Sequence, residues 1–262
     1  IEFNAEGVCS FCTSYQAPQW KGRDLLEEKI APLRNKSGRP DCIVAFSGGR
    51  DSSYGLHYVK SVLGMNPIAY CYDWGMITDL ARRNQARICG KLGIEYIVVS
   101  ADIQKKRSYI RKNILAWLKN PNLGTVPLFM AGDKQYFYYA NKLRQQTGVP
   151  LIILCVNPLE QTHFKTGFAG VPPIEINEGN TYALSIANRT KLASYYASQF
   201  LQNPAFVNSS LWDTFTGYLS YYFIPHKYLF LYDYIRWDEQ EINSTLQQEY
   251  EWETAKDSAS TW

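Results

Sequence analysis

The stretch CIVAFSGGRDSS, Cys42 to Ser53, limits what this chain can fold into more than any other. A run of apolar residues of the kind that makes a buried strand stops at a serine and two glycines, and an acid then stands between an arginine and two serines. The next residues, SSYGLHYVKSVLG, space their apolar side chains as a helix does and end on a glycine. A strand that enters a helix through a glycine turn is the first half of a β-α-β crossover.

The alternation continues downstream. NPIAYCYDWG reads as a second strand, and TDLARRNQARICGKLG as a second helix opened by a Thr-Asp cap and closed on Gly93. IEYIVVSAD is a third strand, and a helical stretch runs from about Ile103 to Lys119. After a Pro/Asn/Gly loop, DKQYFYYANKLRQQTG leads to a fourth strand, LIILCVNP. Strands alternating with helices imply right-handed crossovers and a mostly parallel, doubly wound α/β sheet. Ligands of such sheets sit at the carboxyl ends of the strands, where the connections diverge.

Beyond Pro173 the pattern changes. Leu211, Phe215, Tyr218 and Tyr222 share one helical face, and Pro225 interrupts before YLFLYDYIRW. A helical, aromatic-rich C-terminal region with its own core is expected; an aromatic platform for a sugar or a subunit is the alternative. The tail from Asn243 is polar, acidic and without a cap. The division is an N-terminal Cys-containing segment over 1–38, an α/β domain over 39–175 and the helical region over 176–262.

Composition narrows the partners. The 262 residues carry 27 Lys+Arg against 24 Asp+Glu, a formal charge of +3, which neither demands nor excludes nucleic acid. No stretch approaches the roughly eighteen consecutive apolar residues of a membrane span, and no charged-then-apolar leader precedes the fold, so a soluble, cytoplasmic protein is expected. The chain opens on Ile1 and reads as a piece of a longer protein. Of the six cysteines only Cys9 and Cys12 have a meaningful spacing, one that in a reducing compartment points to metal or redox chemistry.

The physics of FSGGRDSS points to an anion. Gly48 and Gly49 let the backbone adopt conformations closed to other residues, so that successive N–H groups face one concavity. A helix beginning near Ser52 adds unpaired N–H groups and the positive end of its dipole, and the hydroxyls of Ser47, Ser52 and Ser53 add donors. The cradle suits a phosphate or pyrophosphate. Asp51 would repel a bare phosphate, which argues for a magnesium ion bridging carboxylate and phosphate. Neither the Walker GxxxxGK[ST] loop nor the dinucleotide GxGxxG, GxSxG or HExxH motif is present.

SGGRDS resembles the SGGxDS signature of the PP-loop ATP pyrophosphatases, a superfamily with a HUP-type (adenine nucleotide alpha hydrolase-like) fold that splits ATP into AMP and pyrophosphate while adenylating a carbonyl-type oxygen. The resemblance implies that Phe46, Ser47, Gly48, Gly49, Asp51, Ser52 and Ser53 surround the pyrophosphate end of ATP, with magnesium on Asp51. It also implies that Tyr72 and Asp73, after the second strand, lie near adenine and ribose. Within the superfamily, IEFNAEGVCSFC resembles the start of the N-acetyl sugar amidotransferases, where GVCxxC completes a structural zinc site. Cys9 and Cys12 would then be two zinc ligands of a zinc-ribbon remnant, the other two lying outside this chain. LCVNPLEQTHF resembles the segment bordering the activated substrate, putting Asn157 and Glu160 at the reaction centre, and FMAGDKQ puts Gly132 and Asp133 in a loop over it.

The implied reaction replaces the acetamido oxygen of an N-acetylated nucleotide sugar by nitrogen, with ATP, Mg2+ and structural Zn2+ as cofactors. A separate glutaminase subunit would supply ammonia. The main alternative is a PP-loop tRNA-modifying sulfurtransferase, for which Cys155 would carry the persulfide and the basic run QKKRSYIRK would meet phosphates. A module that holds ATP without turning it over is the non-enzymatic alternative. Arg50, where relatives often carry Lys or Val, points either to solvent or to a phosphate.

Overall fold

The computed structural model describes residues 3–9, 12–13, 17–35, 37–157, 167–171, 181–182, 184–224 and 226–256. Helix α1 (Arg23–Ile30) precedes β1 (Cys42–Ala45), α2 (Arg50–His57), β2 (Pro67–Asp73), α3 (Asp79–Leu92) and β3 (Tyr96–Ser100). Next come α4 (Ile103–Trp117), the short α5 (Pro127–Met130), α6 (Gln135–Thr147) and β4 (Leu151–Leu154). The C-terminal part holds β5 (Thr181–Tyr182), α7 (Ile186–Gln202), α8 (Leu211–Tyr218), β6 (His226–Phe230) and α9 (Glu239–Tyr250). Thr78 caps α3 by accepting from the Ala81 amide at 3.1 Å, and Gly93 closes it in the left-handed conformation, as its sequence signals require.

The strands lie in the order β3-β2-β1-β4-β6-β5. Among the described strands of the sheet, pairings from β3 through β6 are parallel and β5 runs antiparallel to β6. This is the doubly wound α/β sheet that the alternation demands. The chain moves outward from β1 to β3, then returns to place β4 on the other side of β1. The carboxyl ends of β1 and β4 therefore flank the point where the connections diverge.

Successive β1 residues serve opposite faces. Cys42 and Val44 join Leu56, Val59, Ile88, Ile242 and Leu246 in one core, while Ile43 and Ala45 join Tyr70, Ala140, Leu143 and Tyr228 in the other. Burial on both faces explains why this strand reads as a continuous apolar run. A third cluster, including Ala116, Met130, Leu192, Tyr196, Phe206 and Tyr222, packs α4 and α5 against the helices of the C-terminal part.

Two C-terminal elements differ from the sequence expectation. HKYLF is not part of an aromatic helical unit; it is β6, parallel to β4 with Ile153 opposite Leu229. Its aromatic and β-compatible residues fit a pleated surface as readily as a helix face, and long-range pairing decides. Residues 239–250, within and before the tail taken as polar and uncapped, form α9, capped by Asp238, whose Oδ1 accepts from the amides of Gln240 and Glu241. Ile242, Leu246 and Tyr250, at helical spacing, bury its inner face.

Candidate phosphate-binding site

The turn begins where β1 ends. The Phe46 amide donates to the Tyr70 carbonyl at 2.8 Å, extending the β1–β2 ladder, while the Phe46 ring is buried edge-on against Tyr96 at 5.8 Å. Phe46 thus contributes backbone to the turn and its side chain to the core. Gly48 lies at φ +84°, and a Cβ there would meet the Ala81 carbonyl oxygen at 2.6 Å and Gln85 Cγ at 2.7 Å. Of the two glycines in the turn, only Gly48 is required to be glycine. Gly49, at φ −74° and ψ 166°, is the ordinary extended N-cap of α2, and the helix starts at Arg50 rather than near Ser52.

The carbonyls of the turn are held by the protein. Gln85 Nε2, from α3, donates to the Ser47 carbonyl at 2.9 Å; Trp252 Nε1 donates to that of Gly48 at 3.3 Å; Ser52 Oγ donates to that of Gly49 at 3.1 Å. With its acceptors satisfied in this way, the turn's polarity toward a ligand comes from the first-turn N–H groups of α2, which have no intrahelical partner by construction. Ser47 Oγ and Ser52 Oγ lie 3.0 Å apart on the same side. Ser53 is fully buried and its hydroxyl has no hydrogen-bond partner among the described residues, so it faces the core.

Asp51 is the centre of a polar knot. Its Oδ2 accepts from Asn157 Nδ2 at 2.8 Å; its Oδ1 accepts from Trp237 Nε1 at 2.9 Å and from Arg50 Nε at 3.1 Å. Its carbonyl accepts from the Tyr232 hydroxyl at 2.9 Å. Arg50 points neither to solvent nor to an open phosphate position. It is buried, pairs through Nη1 with Glu239 at 2.5 Å and lies over the Trp237 ring at 5.1 Å. A carboxylate offers about four acceptor positions. Three are taken by these donors, so a magnesium ion would find one on Oδ2, beside a guanidinium that already balances the charge. Asp51 fits a magnesium role only as a single-point ligand.

The remaining candidates lie as follows. Asn157, buried at the end of β4, is joined to Asp51 across the switch point. Glu160 lies outside the described residues. Tyr72 is buried and stacked on Tyr139 at 5.2 Å, and Asp73 is occupied by Arg82 Nη2 at 2.5 Å and the Gly75 amide at 2.9 Å. Gly132, at φ +82°, packs against the buried Lys106–Asp213 ion pair of 2.6 Å, and Asp133 follows it in the same loop. Cys9 Sγ and Cys12 Sγ are 3.3 Å apart in an N-terminal hairpin, and no third His, Cys, Asp or Glu joins them among the described residues. Structural zinc takes four donors. Among the described residues half a set is present, too few donors to hold structural zinc.

Sequence reasoning missed Gln85, Tyr232, Trp237, Glu239 and Trp252. Gln85 carries no local signal inside a helix, and the others come from more than 170 residues downstream of the turn they touch. Cys155 also differs in character from a reactive thiol. It is buried, its pKa is pushed up by desolvation and then by the charge of Asp51, and a Cβ on Gly55 would lie 2.2 Å from its sulfur.

No family model matches the chain. A glutamine-hydrolyzing GMP synthase of Thermosipho africanus is 35% identical over 82 residues, 31% of this chain and 16% of that one. The chain thus spans a minor part of that relative. Among solved structures, an NH3-dependent NAD synthetase from Campylobacter jejuni is 15% identical with a TM-score of 0.36, covering 71% of this chain and 74% of that one. A U34-tRNA thiolase from Methanococcus maripaludis is 14% identical with a TM-score of 0.39, covering 91% and 67%. No helix among the described residues is long and apolar enough to cross a membrane.

Proposed function

We propose that this chain is the ATP-pyrophosphatase part of an ATP-dependent ligase of the PP-loop superfamily. The observation that carries this is the SGGRDS turn at the switch point, with its carbonyls of Ser47, Gly48 and Gly49 bonded to the protein and the N-terminus of α2 behind it. Such a turn stabilises the charge that collects on pyrophosphate as it leaves. The sequence likeness to a glutamine-hydrolyzing GMP synthase supports ATP-dependent nitrogen transfer, and it supports a separate glutaminase partner as the source of ammonia.

The finer reading is sugar amidation. The acetamido oxygen of an N-acetylated nucleotide sugar attacks the α-phosphorus, the α–β anhydride bond breaks and pyrophosphate departs. Ammonia then adds to the activated carbon, and AMP leaves with the oxygen, giving the acetamidino group. Ser47 and the α2 amides hold the phosphates, Ser52 ties Ser47 to the Gly49 carbonyl, Asn157 fixes Asp51, and Glu160 is the candidate for proton transfer. Magnesium, when bound, would be held through Asp51 Oδ2 and would supply neutralisation of phosphate charge. The GVCSFC segment, with Cys9 and Cys12 as half of a zinc set, supports the sugar family within the superfamily.

Sulfur transfer is the second reading, and the state of Cys155 weighs against it. A persulfide carrier needs an accessible thiolate, whereas this thiol is buried, held protonated and packed on Gly55. Product analysis by mass spectrometry tests both. With ATP, magnesium, ammonium and a panel of N-acetylated nucleotide sugars, the expected result is AMP, pyrophosphate and a product about one mass unit lighter, the NH-for-O exchange. ADP in place of AMP overturns the pyrophosphatase reading. AMP formed only with tRNA and a sulfur donor overturns the sugar.

A further inference from the structure

The turn is held from one side by α3 and from the other by residues 232–253, which come back across the carboxyl edge of the sheet. Two indole N–H groups in that segment end on the turn itself, Trp252 Nε1 on the Gly48 carbonyl at 3.3 Å and Trp237 Nε1 on Asp51 Oδ1 at 2.9 Å. The segment is fastened to the domain on both sides of these contacts. Glu239 pairs with Arg50 at 2.5 Å and Glu241 accepts from the Tyr54 hydroxyl at 2.9 Å. Glu253 pairs with Arg83 at 2.9 Å and with Arg87 at 2.5 Å, and its amide donates to Asn84 Oδ1 at 2.9 Å.

We infer that the Trp237–Glu253 segment is a clamp that sets the phosphate affinity of the turn, with Trp237 and Trp252 as positioning residues. A peptide unit has its N–H and C=O on opposite sides, so a donor that holds the Gly48 carbonyl on the Trp252 side aims the following amide, that of Gly49, the other way, onto Ser47 Oγ at 3.3 Å, and so sets the hydroxyl that faces the ligand. The Trp237 indole does the equivalent for Asp51, fixing the carboxylate that Asn157 grips from β4. Neither tryptophan touches the ligand. Each acts through the turn, and the inference rests on the assignment of that turn to the pyrophosphate end of ATP.

The clamp predicts a split between ligands. Trp252→Phe keeps the aromatic bulk and removes the donor, so its loss falls on pyrophosphate and ATP and spares AMP, which lacks the β and γ phosphates. Loss of one hydrogen bond of this kind corresponds to roughly a three- to tenfold rise in Kd. The double variant Arg83→Ala, Arg87→Ala loosens the outer fastening without entering the core and shifts pyrophosphate affinity in the same direction by less. Calorimetric titration of the full chain with pyrophosphate, ATP and AMP in the presence of magnesium reads all three. Weakened pyrophosphate and ATP binding with unchanged AMP binding supports the clamp in either variant. Wild-type affinities in both variants, or an equal loss for AMP, overturn it. Failure of the wild type itself to bind pyrophosphate or ATP overturns instead the assignment of the turn.

Discussion

Asn157, just past β4, donates to Asp51, in the first turn of α2, across 2.8 Å. The bond closes the gap between β1 and β4, at which the sheet changes direction, and it joins the segments that follow the first and fourth strands, FSGGRDSS and the start of LCVNPLEQTHF, into one site. Asn157→Asp should place two carboxylates in contact. The expected cost is about 1–3 kcal/mol at neutral pH. Repulsion raises one carboxyl pKa in the fold above its unfolded value, so the folded state holds the extra proton and the deficit shrinks as pH falls toward that unfolded value. Urea midpoints of variant and parent compared between about pH 5 and pH 7 check this; a deficit that does not change with pH would show that the two groups are not in contact.

Gly48 tolerates no side chain. Its φ of +84° costs a non-glycine residue about 1–2 kcal/mol, and the new Cβ would also collide with the Ala81 carbonyl at 2.6 Å. Gly48→Ala should lose ATP binding, whereas Gly49→Ala, where the Cβ would lie 3.4 Å from Ser47 Oγ in ordinary contact, should fold and retain it within a few fold. Equal damage from both would mean that the turn is not shaped as described.

Cys155 separates two chemistries. Cys155→Ala removes a buried sulfur without exposing a polar group, with an expected stability loss of about 1 kcal/mol. Ligase turnover should survive within a few fold, measured as pyrophosphate release. A sulfur carrier would be silenced. Because the thiol sits in the space a Gly55 Cβ would need, Gly55→Ala alone should destabilise strongly and Cys155→Ala should rescue it in part, a coupling readable in a double-mutant cycle.

His57 ties α2 to α9, its Nδ1 lying 2.6 Å from the Tyr250 hydroxyl. Burial lowers its pKa from 6.5, and the nearby Glu249 carboxylate offsets this only in part. The unfolded chain therefore binds the proton more readily than the folded one. Stability contributed by neutral His57 is complete above about pH 6.5 and declines as pH falls below that value. Thermal unfolding of His57→Gln should lose part of this slope between about pH 7 and pH 5. An unchanged slope would assign the acid sensitivity to other groups.

The sheet from β1 to β4 was legible because its strands are mostly apolar runs and α3 announces both its ends, through Thr78 and Gly93. The turn was legible because two glycines and the acid stand within four consecutive residues, Gly48 to Asp51. What surrounds the turn was not. Tyr228 and Leu229 bury opposite faces of a strand whose aromatic composition fits a helix equally well, and only pairing with β4 decides between them. Gln85 reads as one more polar residue of α3, although it is buried and bonded to the Ser47 carbonyl. Arg50 reads as pointing to solvent or to a phosphate because its partner Glu239 is 189 positions away. Local pattern carries no information about contacts at such separations.

The return of residues 226–253 across the sheet has a consequence for biogenesis. A ribosome that has released β1 to β4 has already extruded every residue of SGGRDS, yet the indoles that fix its shape are still in the exit tunnel or not yet translated. On the proposed reading of the turn, nucleotide capture is a late-acquired property, and a polypeptide nicked ahead of β6 would keep its glycine signature while losing its grip on ATP. Retention on an immobilised nucleotide would sort intact molecules from shortened ones.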